Sequence, residues 1–357
     1  MGFTRSVFIT GFPGFIAGRL VERLATNDTQ FFLLVQPQFV DAAMESVGRI
    51  SRSRNVPLEN FALVQGDVTK ADLGIDVADL DSIRAETTDI FHLAAVYDLS
   101  VAKDVAYTVN LEGTKNVNEF ARSVKKLRRY NYVSTCYVAG KRKGQILETE
   151  LEHDAGFRNY YEETKYLSEI EVERLKKDLP VTIFRPSVVV GDSKTGETAK
   201  YDGIYYLIQY LRRAPNLLRL FNVGNTKVRL NLVPVDFVVE SMAALAFDKD
   251  AEGDTLALAD PAPLTTAELF DEIASKLSGK PSLMTPPARV VELSLSTPIS
   301  PPITGLPLFG VPYFFIDQTY DTQEAGYHLI QHDIQCPKFA TYVGNLLDFV
   351  EKHPKLN

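Results

Sequence analysis

Two residues that can move a proton lie four positions apart near the middle of the chain. Tyr161 and Lys165 fall within a predicted helix over residues 160–177, so both side chains project from one face of that helix. An isolated phenol is a poor acid at neutral pH because its pKa is about 10. A neighbouring ammonium group stabilises the phenolate and is expected to lower the pKa of Tyr161, and a cationic cofactor ring would act in the same direction. The pair therefore predicts an acid–base centre that works near neutral pH.

The spacing alone is a weak signal, because the chain contains a second copy of it. Tyr137 and Lys141 are also four residues apart, but Gly140 interrupts this copy and a basic run follows it, so a solvated loop is predicted there. Two side chains on a loop need not share a face. We therefore exclude Tyr137 and Lys141 as the acid–base pair and keep Tyr161 and Lys165, whose simplest alternative is a surface aromatic beside a surface cation.

Two hydroxyl side chains follow a predicted strand at residues 129–133. Ser134 and Thr135 both lie where the carboxyl end of a parallel strand opens into an active site. Either hydroxyl could hydrogen-bond a substrate carbonyl and hold it for attack. The next residue, Cys136, is expected to be a small packed side chain.

A glycine-rich loop lies at the first junction between a predicted strand and a predicted helix. Gly11 and Gly14 allow a tight turn and leave helix N–H groups free to bind a pyrophosphate. A glycine pattern also occurs in ordinary turns, but its position at the first β-to-α junction strengthens the prediction of a dinucleotide site. Phe12 and Phe15 either shield the phosphates or pack on the sheet.

Other cofactor contacts are expected at the carboxyl ends of the following strands. Asp67 could accept a hydrogen bond from an adenine amino group, and the small residues after His92 let the backbone lie against the cofactor. His92 itself is expected to be a hydrogen-bonded core residue. The remaining positions predicted to line the cofactor are Ile16, Gln36, Val68, Leu93, Ala94, Ala95 and Asn110.

The elements around these residues alternate between short apolar runs and helical patterns, which is typical of βαβ units. The predicted strands are Val7–Thr10, Phe31–Val35, Phe61–Gln65, Asp89–Leu93, Arg129–Val133 and Val181–Phe184. The predicted helices between them are Gly14–Thr26, Asp41–Ser53, Asn110–Val124 and Tyr160–Lys177. Strands that are apolar on both faces require helices on both sides, so the sequence predicts an α/β fold with a doubly wound, Rossmann-type parallel sheet.

The second half of the chain predicts a smaller substrate lobe. The elements expected here are a helix over Gly203–Arg213, strands over Val228–Val235 and Leu256–Ala259, and helices over Phe237–Phe247, from Thr266 to about Leu277 and over Pro337–Lys352. Prolines recur through Lys280–Phe315 and exclude a long helix or a central strand there. We predict a cofactor domain at residues 1–250, with 193–227 contributing to the substrate lobe, and a region at 251–357 that is mainly substrate lobe and closing helix.

Composition limits the class of function. With 46 acidic against 38 basic residues the chain has a formal charge of −8, which argues against general nucleic-acid binding. Two cysteines are too few for a disulfide framework and favour a reducing, cytoplasmic setting. No stretch has the pattern of a signal peptide or reaches the roughly twenty apolar residues of a membrane span. No metal site is predicted.

Over nearly its whole length the sequence resembles the extended short-chain dehydrogenase/reductases. Within them it is most similar to the branch of fatty acyl-CoA reductases, fatty aldehyde reductases and thioester reductase domains. The segments that carry the resemblance are residues 11–18, 67, 92–95, 109–116, 134–140, 161–165 and 184–191. Residues 192–197 and 202–206 are the most specific pointer to that branch.

The resemblance implies a role for several residues. Thr135 falls on the family's catalytic hydroxyl, Tyr161 on its proton donor and Lys165 on its ribose-binding lysine. The positions implied to lie beside the nicotinamide are Pro186, Ser187 and Val188. The expected reaction is NAD(P)H-dependent reduction of a small apolar carbonyl substrate, a fatty aldehyde or a fatty acyl thioester, and a homodimer through the Asn110 and Tyr161 helices is compatible with it.

Two features depart from that branch. Gln36 stands after the second strand, where an arginine would read the 2′-phosphate of NADP, yet an acidic residue that would select NAD is missing too. We expect NADP rather than NAD. The sequence also contains no carrier or adenylation module, so a stand-alone aldehyde reductase is as compatible with it as an acyl-CoA enzyme.

The substrate side of the site is less well defined by the sequence. The apolar, proline-broken stretch Val290–Phe315, together with tyrosines such as Tyr210, could roof a tunnel for an acyl chain, or it could be ordinary core under a long loop. The residues expected to contact substrate are Tyr97, Tyr137, Tyr205 and Tyr206.

Two other functions remain open. A sugar-nucleotide epimerase or dehydratase shares the Thr-Tyr-Lys chemistry but needs cations for a diphosphate, and the candidates are Arg212, Arg213, Arg219 and Arg229. A non-catalytic redox sensor that binds a dinucleotide is the third hypothesis, and it would tolerate Tyr161→Phe.

Overall fold

The computed structural model describes residues 2–356 and places a seven-stranded sheet at the centre of the molecule. The strands in chain order are β1 (Arg5–Thr10), β2 (Thr29–Val35), β3 (Phe61–Gln65), β4 (Asp89–His92), β5 (Arg129–Val133), β6 (Gly144–Ile146), β7 (Val181–Pro186), β8 (Val188–Val190), β9 (Leu232–Pro234), β10 (Thr255–Leu258) and β11 (Gln318–Tyr320). The main sheet has the order β3-β2-β1-β4-β5-β7-β10, and every neighbouring pair in it is parallel. The α/β fold with a Rossmann-type parallel sheet is confirmed.

Helices cover both faces of this sheet and build the rest of the molecule. In chain order they are α1 (Phe15–Leu24), α2 (Val40–Arg54), α3 (Val77–Glu86), α4 (Lys103–Ala106), α5 (Gly113–Ser123), α6 (Tyr160–Glu173), α7 (Ile204–Arg213), α8 (Pro215–Leu218), α9 (Val235–Leu245), α10 (Thr266–Ser278), α11 (Ala288–Leu295), α12 (Ser300–Thr304), α13 (Gln323–Gln331) and α14 (Phe339–Lys352). A π-helical turn at Tyr107–Glu112 joins α4 to α5.

Alternating strand residues explain why the sheet needs two helical layers. In β1, Val7 and Ile9 pack with α1, α2, α9 and α13, whereas Phe8 packs on the opposite side with α3, α5 and α6. All three side chains are fully buried. Successive strand side chains point to opposite faces, so a run of apolar residues stabilises the sheet only when both faces are covered.

The substrate lobe has an apolar core of its own, formed by α7, α10 and α14. Helix α10 begins with a capping box in which Thr265 and Glu268 satisfy each other's backbone N–H groups. The proline-rich stretch forms only α11, α12 and a 3-10 segment at Leu308–Phe314, which confirms that it holds no long helix and no central strand.

Several elements differ from the sequence expectations. The strand expected over Val228–Val235 is limited to β9, because only Leu232–Pro234 pair with β8. The sequence did not predict helices α3 and α13 or the short strands β6, β8 and β11, since each is short or weakly patterned. Strand β10 lies beyond residue 250 and yet forms the edge of the main sheet, where α13 contacts it. No helix within residues 2–356 is long and apolar enough to cross a bilayer.

Candidate active site

A large cleft opens along the carboxyl ends of the first four strands. It brings together most of the residues expected to bind the cofactor. Those that line it are Gly11, Phe12, Gly14, Phe15, Ile16, Gln36, Asp67, Val68, Leu93, Ala94 and Ala95. This is the edge of a parallel sheet at which dinucleotides bind in α/β proteins.

At Gly11 and Gly14 the loop leaves no room for a side chain. Gly11 has a φ of +89°, and a Cβ atom there would lie 2.9 Å from the backbone nitrogen of Ala94. A Cβ on Gly14 would lie 2.6 Å from the carbonyl oxygen of Gly11. Gly14 is also the N-cap of α1 and has no side chain to cap the first helical N–H groups. The loop therefore fits a pyrophosphate, which those N–H groups can bind.

The two phenylalanines of the loop take different positions. Phe12 is buried in the core on the α1 side of the sheet, although its edge reaches the cleft. Phe15 is only partly buried, and the guanidinium of Arg19 lies over its ring, 5.0 Å from the centroid. Phe12 thus serves mainly as a packing residue.

Asp67 lines the cleft just after the end of β3. Its Oδ1 accepts hydrogen bonds from the backbone N–H and the hydroxyl of Thr69, at 2.9 and 2.8 Å. Burial acts to raise the pKa of Asp67, but these hydrogen bonds and one from Gln36 outweigh it, so the pKa is lowered. An ionised carboxylate at this wall can accept from an amino group. Gln36 also accepts from Gln38, at 2.8 Å.

His92 is the core residue that the sequence suggested. One ring nitrogen lies 2.7 Å from the hydroxyl of Thr10 and the other 3.0 Å from that of Thr114. Burial, with a smaller contribution from the charge of Lys165, lowers the pKa of His92 to about 3. The ring is therefore neutral at physiological pH and fixes the end of β4 to β1 and α5.

Tyr161 lies immediately behind the wall of the cleft. It is 6% exposed, and its ring meets that of Tyr97 edge-on, with centroids 5.2 Å apart. Tyr97 is itself part of the cleft wall. The hydroxyl of Thr135 is close enough to the phenol to act on its pKa, so the structure brings these two expected residues together.

The pKa of Tyr161 moves in the direction opposite to the one expected. Burial raises it above its usual range, and the nearby hydroxyl of Thr135 offsets only part of that effect. The ammonium of Lys165 is directed elsewhere, since Nζ donates to the hydroxyl of Tyr132 and to the carbonyl oxygen of Val133, each at 2.8 Å. The expectation of a lowered pKa was wrong for this state of the protein, and Tyr161 keeps its proton at neutral pH.

Lys165 is buried on the same helix face. Desolvation lowers the pKa of its ammonium to about 7, although the nearby carboxylate of Glu169 acts to raise it. The charge also lies 4.4 Å from the centroid of the Tyr132 ring. A lysine that titrates near neutrality beside a cleft is typical of an active site.

The structure separates the two candidate hydroxyls. Ser134 donates to the carboxylate of Glu169, which also pairs with Arg185 at 2.5 Å. All three side chains are buried. Ser134 is therefore committed to a network that joins β5, α6 and β7, and Thr135 is the hydroxyl next to Tyr161.

Asn110 lies one layer behind the cleft rather than in its wall. Its side-chain oxygen accepts from the backbone N–H of Val96 at 2.8 Å, and its amide donates to the hydroxyl of Thr164 at 3.1 Å. These bonds tie the loop after β4 to helix α6. The expected cofactor contact is therefore corrected to a positioning role, because both polar ends of the side chain are already used.

Three further positions expected beside the cofactor do not line the cleft. Val188 lines the substrate side, whereas its neighbour Val189 lines the cofactor cleft, because successive residues of a strand point to opposite faces. The hydroxyl of Ser187 donates a hydrogen bond to the side-chain oxygen of Asn231 at 2.8 Å. Pro186 is the buried last residue of β7. Neither Pro186 nor Ser187 is part of the cleft wall.

Two apolar chambers continue from the cleft into the substrate lobe. The outer chamber shares Tyr97, Lys200 and Asp202 with the cleft, and Tyr137 lies in its wall. The inner chamber is walled mainly by apolar and aromatic side chains. Its lining residues are Tyr206, Leu207, Tyr210, Val223, Gly224, Thr266, Leu295, Thr304, Leu306 and Phe314.

Of the adjacent tyrosines Tyr205 and Tyr206 on α7, only the second reaches the chambers. Tyr206 stands between them and lines both. Tyr205 is 1% exposed in the core of the lobe, and its hydroxyl accepts from the backbone N–H of Gly191 at 2.9 Å. The expectation that Tyr205 contacts substrate was wrong, because consecutive helix residues point about 100° apart.

The arginines considered for a diphosphate have other partners. Arg212 donates to the carbonyl oxygen of Val350 at 3.0 Å, and Arg219 to that of Pro281 at 2.9 Å. Arg229 donates to the carbonyl oxygen of Pro263. None of these three arginines lines either chamber.

Sequence reasoning missed two parts of the site. Lys200 and Asp202 stand where the cleft meets the outer chamber, with Nζ and Oδ2 3.7 Å apart, and the sequence had assigned no site role to either of them, although Asp202 belongs to a segment that carried the resemblance. Tyr313 lines the outer chamber and packs against Tyr137, with ring centroids 4.9 Å apart. The two tyrosines lie far apart along the chain, so no local signal marks Tyr313.

Known proteins with a similar sequence point to one family. A profile of the NAD-binding family described as male sterility protein matches residues 9–242. The fatty acyl-CoA reductase wat of Drosophila melanogaster is 25% identical over 284 residues, which cover 68% of this chain and 54% of that protein. Carboxylic acid reductase of Segniliparus rugosus is 26% identical over 271 residues, covering 68% of this chain and 23% of that protein. The chain spans about half the length of the curated fatty acyl-CoA reductase wat.

Solved structures share the fold. The terminal R domain from the myxalamid PKS-NRPS biosynthetic pathway has a TM-score of 0.82 at 21% identity, covering 99% of this chain and 92% of that one. A UDP-glucuronic acid 4-epimerase from Bacillus cereus has a TM-score of 0.66 at 17% identity, covering 97% and 99%. The parallel sheet, its glycine-rich first loop and these neighbours define the class of Rossmann-type α/β proteins. Within that class, the chain belongs to the NAD-binding male sterility protein family.

Proposed function

We propose that this protein is an NAD(P)H-dependent reductase of a fatty aldehyde or fatty acyl thioester. The observation that carries the proposal is the position of Tyr161, close to the hydroxyl of Thr135 and against Tyr97 in the cleft wall, beside a cleft that continues into two apolar chambers. Relatives named as fatty acyl-CoA reductases and as carboxylic acid reductase support the substrate class.

The chemistry assigned to the chain is proton delivery. When bound, the reduced nicotinamide would supply the hydride. Thr135 would hold the substrate carbonyl oxygen, and Tyr161 would donate the proton that this oxygen takes up, which turns an aldehyde into the alcohol. With a thioester, the same addition would give a hemithioacetal, whose C–S bond would then break to release the thiol and the aldehyde. A raised pKa of Tyr161 suits reduction of the carbonyl, because the phenol must be protonated to act as the acid. Lys165 would hold the ribose and stabilise the phenolate left behind.

Access to Tyr161 requires a small rearrangement at the cleft wall. The ring of Tyr97 lies edge-on against Tyr161 and is 45% exposed on its other side. We propose that a substrate carbonyl displaces the Tyr97 ring and reaches the phenol from the outer chamber. Exposed side chains change rotamer on a picosecond to nanosecond timescale, so this step need not limit turnover.

The acyl chain would occupy the two chambers in series. Their walls are mainly aliphatic and aromatic, and burial of each methylene stabilises binding by roughly 0.8 kcal/mol. Tyr206 stands between the chambers, so it would limit the chain length that fits without movement.

For the cofactor we propose a modest preference for NADP over NAD. Gln36 and Gln38 line the cleft after β2, and their neutral amides can donate hydrogen bonds to a phosphate without repelling it. A bidentate arginine would discriminate more strongly. A homodimer through α5 and α6 and a cytoplasmic location stay predictions.

The test is a comparison of wild type with Tyr161→Phe on decanal, decanoyl-CoA and UDP-glucose. We expect wild type to oxidise NADPH with at least one acyl substrate and to leave UDP-glucose unchanged. Tyr161→Phe should lower kcat by a factor of about 10² or more, because one positioned acid is worth that much. Binding of NADPH, followed by its fluorescence, should be retained.

A matched control is Tyr160→Phe, one residue earlier on α6 and 40% exposed. It should retain turnover. Equal turnover by wild type and Tyr161→Phe would contradict the proposed role of Tyr161. No turnover by wild type, with NADPH binding retained, would favour a non-catalytic dinucleotide sensor, and turnover of UDP-glucose would favour an epimerase.

A further inference from the structure

Positive charge is concentrated in two segments of the substrate lobe. Residues 205–230 and 276–315 together contain eight basic residues and one acidic residue, Glu292, a formal charge of +7. The whole chain carries −8, so the remaining residues carry −15. The basic residues are Arg212, Arg213, Arg219, Lys227, Arg229, Lys276, Lys280 and Arg289. A bias of this size indicates a surface for an anionic partner.

The two segments are neighbours in the folded lobe. Phe221 and Met284 form a β-bridge, and the N–H of Asn222 donates to the carbonyl oxygen of Met284 at 2.9 Å. The guanidinium of Arg219 donates to the carbonyl oxygen of Pro281, also at 2.9 Å. The two segments therefore lie side by side, and we call them together the basic lobe surface (residues 205–230 and 276–315).

Large apolar side chains project from the same region. Leu283, Leu293 and Ile299 are 75%, 73% and 70% exposed. The others that are exposed there are Leu217, Phe221, Met284, Val290, Leu308 and Phe309. Nine such residues in one lobe exceed what scattered surface apolar residues explain, and clustered exposure marks an interaction site.

Helix α11 shows how this exposure arises. Val291 and Leu295 on its inner side are buried with the proline-rich segment, whereas Val290 and Leu293 on its outer side face solvent. Leu295 is also part of the wall of the inner chamber. One short helix thus separates an apolar outer face from the proposed acyl site by a single layer of side chains.

We propose that the basic lobe surface docks on the face of an anionic lipid bilayer. The exposed cations Lys227, Lys276, Lys280 and Arg289 would lie at the phospholipid phosphates, and the exposed leucines and isoleucine would enter the boundary between headgroups and acyl chains. The exposed apolar residues come from several separate short segments rather than from one groove, which fits a deformable surface better than a folded partner. Delivery of substrate from the bilayer rests on the proposed reductase function, but the docking itself does not.

The test is sedimentation of the full chain with vesicles. One set is pure phosphatidylcholine and the other is an equal mixture of phosphatidylcholine and phosphatidylglycerol. We expect binding to the anionic vesicles to be at least about tenfold stronger and to weaken as salt is raised. Lys280→Glu with Arg289→Glu should weaken it by roughly tenfold or more, since each charge reversal removes attraction and adds repulsion.

A second variant tests the apolar contribution. Replacing Leu283, Leu293 and Ile299 by serine should reduce anionic-vesicle binding by about tenfold or more, while the matched variant Met44→Ser with Val77→Ser, on exposed sites of the cofactor half, should bind like wild type. Circular dichroism and thermal unfolding show whether each variant is folded.

Equal binding to both kinds of vesicle, or none to either, would overturn the proposal. Capture of an acidic acyl-carrier protein by the basic lobe surface without vesicle binding would overturn it too. Vesicle binding is measured without turnover. A lack of vesicle binding would therefore not contradict the proposed reductase function, and a lack of turnover would not contradict the proposed docking.

Discussion

At the scale of single residues, burial decides the chemistry of the Tyr161–Lys165 pair. Desolvation raises the pKa of the phenol and lowers that of the ammonium to about 7. Both shifts favour the neutral form of the group concerned. The free protein therefore holds a protonated phenol beside a lysine whose charge changes within the physiological pH range.

The first prediction concerns the pH dependence of reduction. The pKa of Lys165 is lowered, so its charge is present below about pH 7 and is lost as the pH rises. Because that charge would stabilise the developing phenolate of Tyr161, kcat/KM should fall above pH 7. Lys165→Arg keeps its charge and should shift the fall in kcat/KM to higher pH, even if the rate is lower. If the fall in kcat/KM occurs at the same pH in Lys165→Arg, another titrating group causes it.

The second prediction concerns chain length. Tyr206→Ala should join the outer and inner chambers and raise kcat/KM for long-chain aldehydes relative to short ones, by about fourfold for each added methylene that becomes buried. Tyr206→Phe keeps the ring between the chambers and should retain the wild-type preference. The measurement is kcat/KM across a series of saturated aldehydes. A chain-length profile shared by both variants would rule out this role.

At the scale of elements, helix α6 is held at the sheet by a buried network as well as by apolar packing. The carboxylate of Glu169 accepts from Ser134 and pairs with Arg185, and Arg185 also donates to the carbonyl oxygen of Glu148 at 3.0 Å. The amino end of the helix is capped by Asn159, whose side chain accepts from the backbone N–H of Glu162 at 3.0 Å. These contacts fix where Tyr161 stands.

The third prediction tests that network through stability. Glu169→Gln should lower the free energy of unfolding by about 3–5 kcal/mol, because it leaves the buried guanidinium of Arg185 without its counter-charge. Glu171→Gln on the same helix breaks an exposed pair with Arg174 and should cost less than about 1 kcal/mol. Urea unfolding measures both. Equal losses of unfolding free energy in the two variants would show that the buried pair stabilises the fold no more than the exposed pair does.

At the scale of the whole molecule, one tyrosine connects the substrate lobe to the cofactor half. Tyr313, from the proline-rich segment, donates to the carboxylate of Glu162 and accepts from the side chain of Asn159, both at 2.6 Å. Both partners are at the start of α6. The wall of the outer chamber and the helix that carries Tyr161 are therefore joined through this hydroxyl.

The fourth prediction follows from this connection. Tyr313→Phe should raise KM for a long-chain aldehyde several-fold and leave the Kd for NADPH unchanged, because the lobe loses two hydrogen bonds to α6 while the glycine loop is untouched. Tyr327→Phe, 64% exposed on α13, is the matched control and should leave both constants unchanged. A parallel loss of NADPH binding in Tyr313→Phe would mean that the change is not confined to the lobe.

The sequence by itself determined the parallel sheet, the glycine loop and the helix that presents Tyr161 and Lys165. These features are local, since they depend on alternation along a strand, on glycine at a turn and on a spacing of four along a helix. The tertiary structure alone decided between Ser134 and Thr135, between Tyr205 and Tyr206, and the direction of the pKa shifts. Those outcomes depend on which distant side chains and how much water surround each group, and no local pattern along the chain records that.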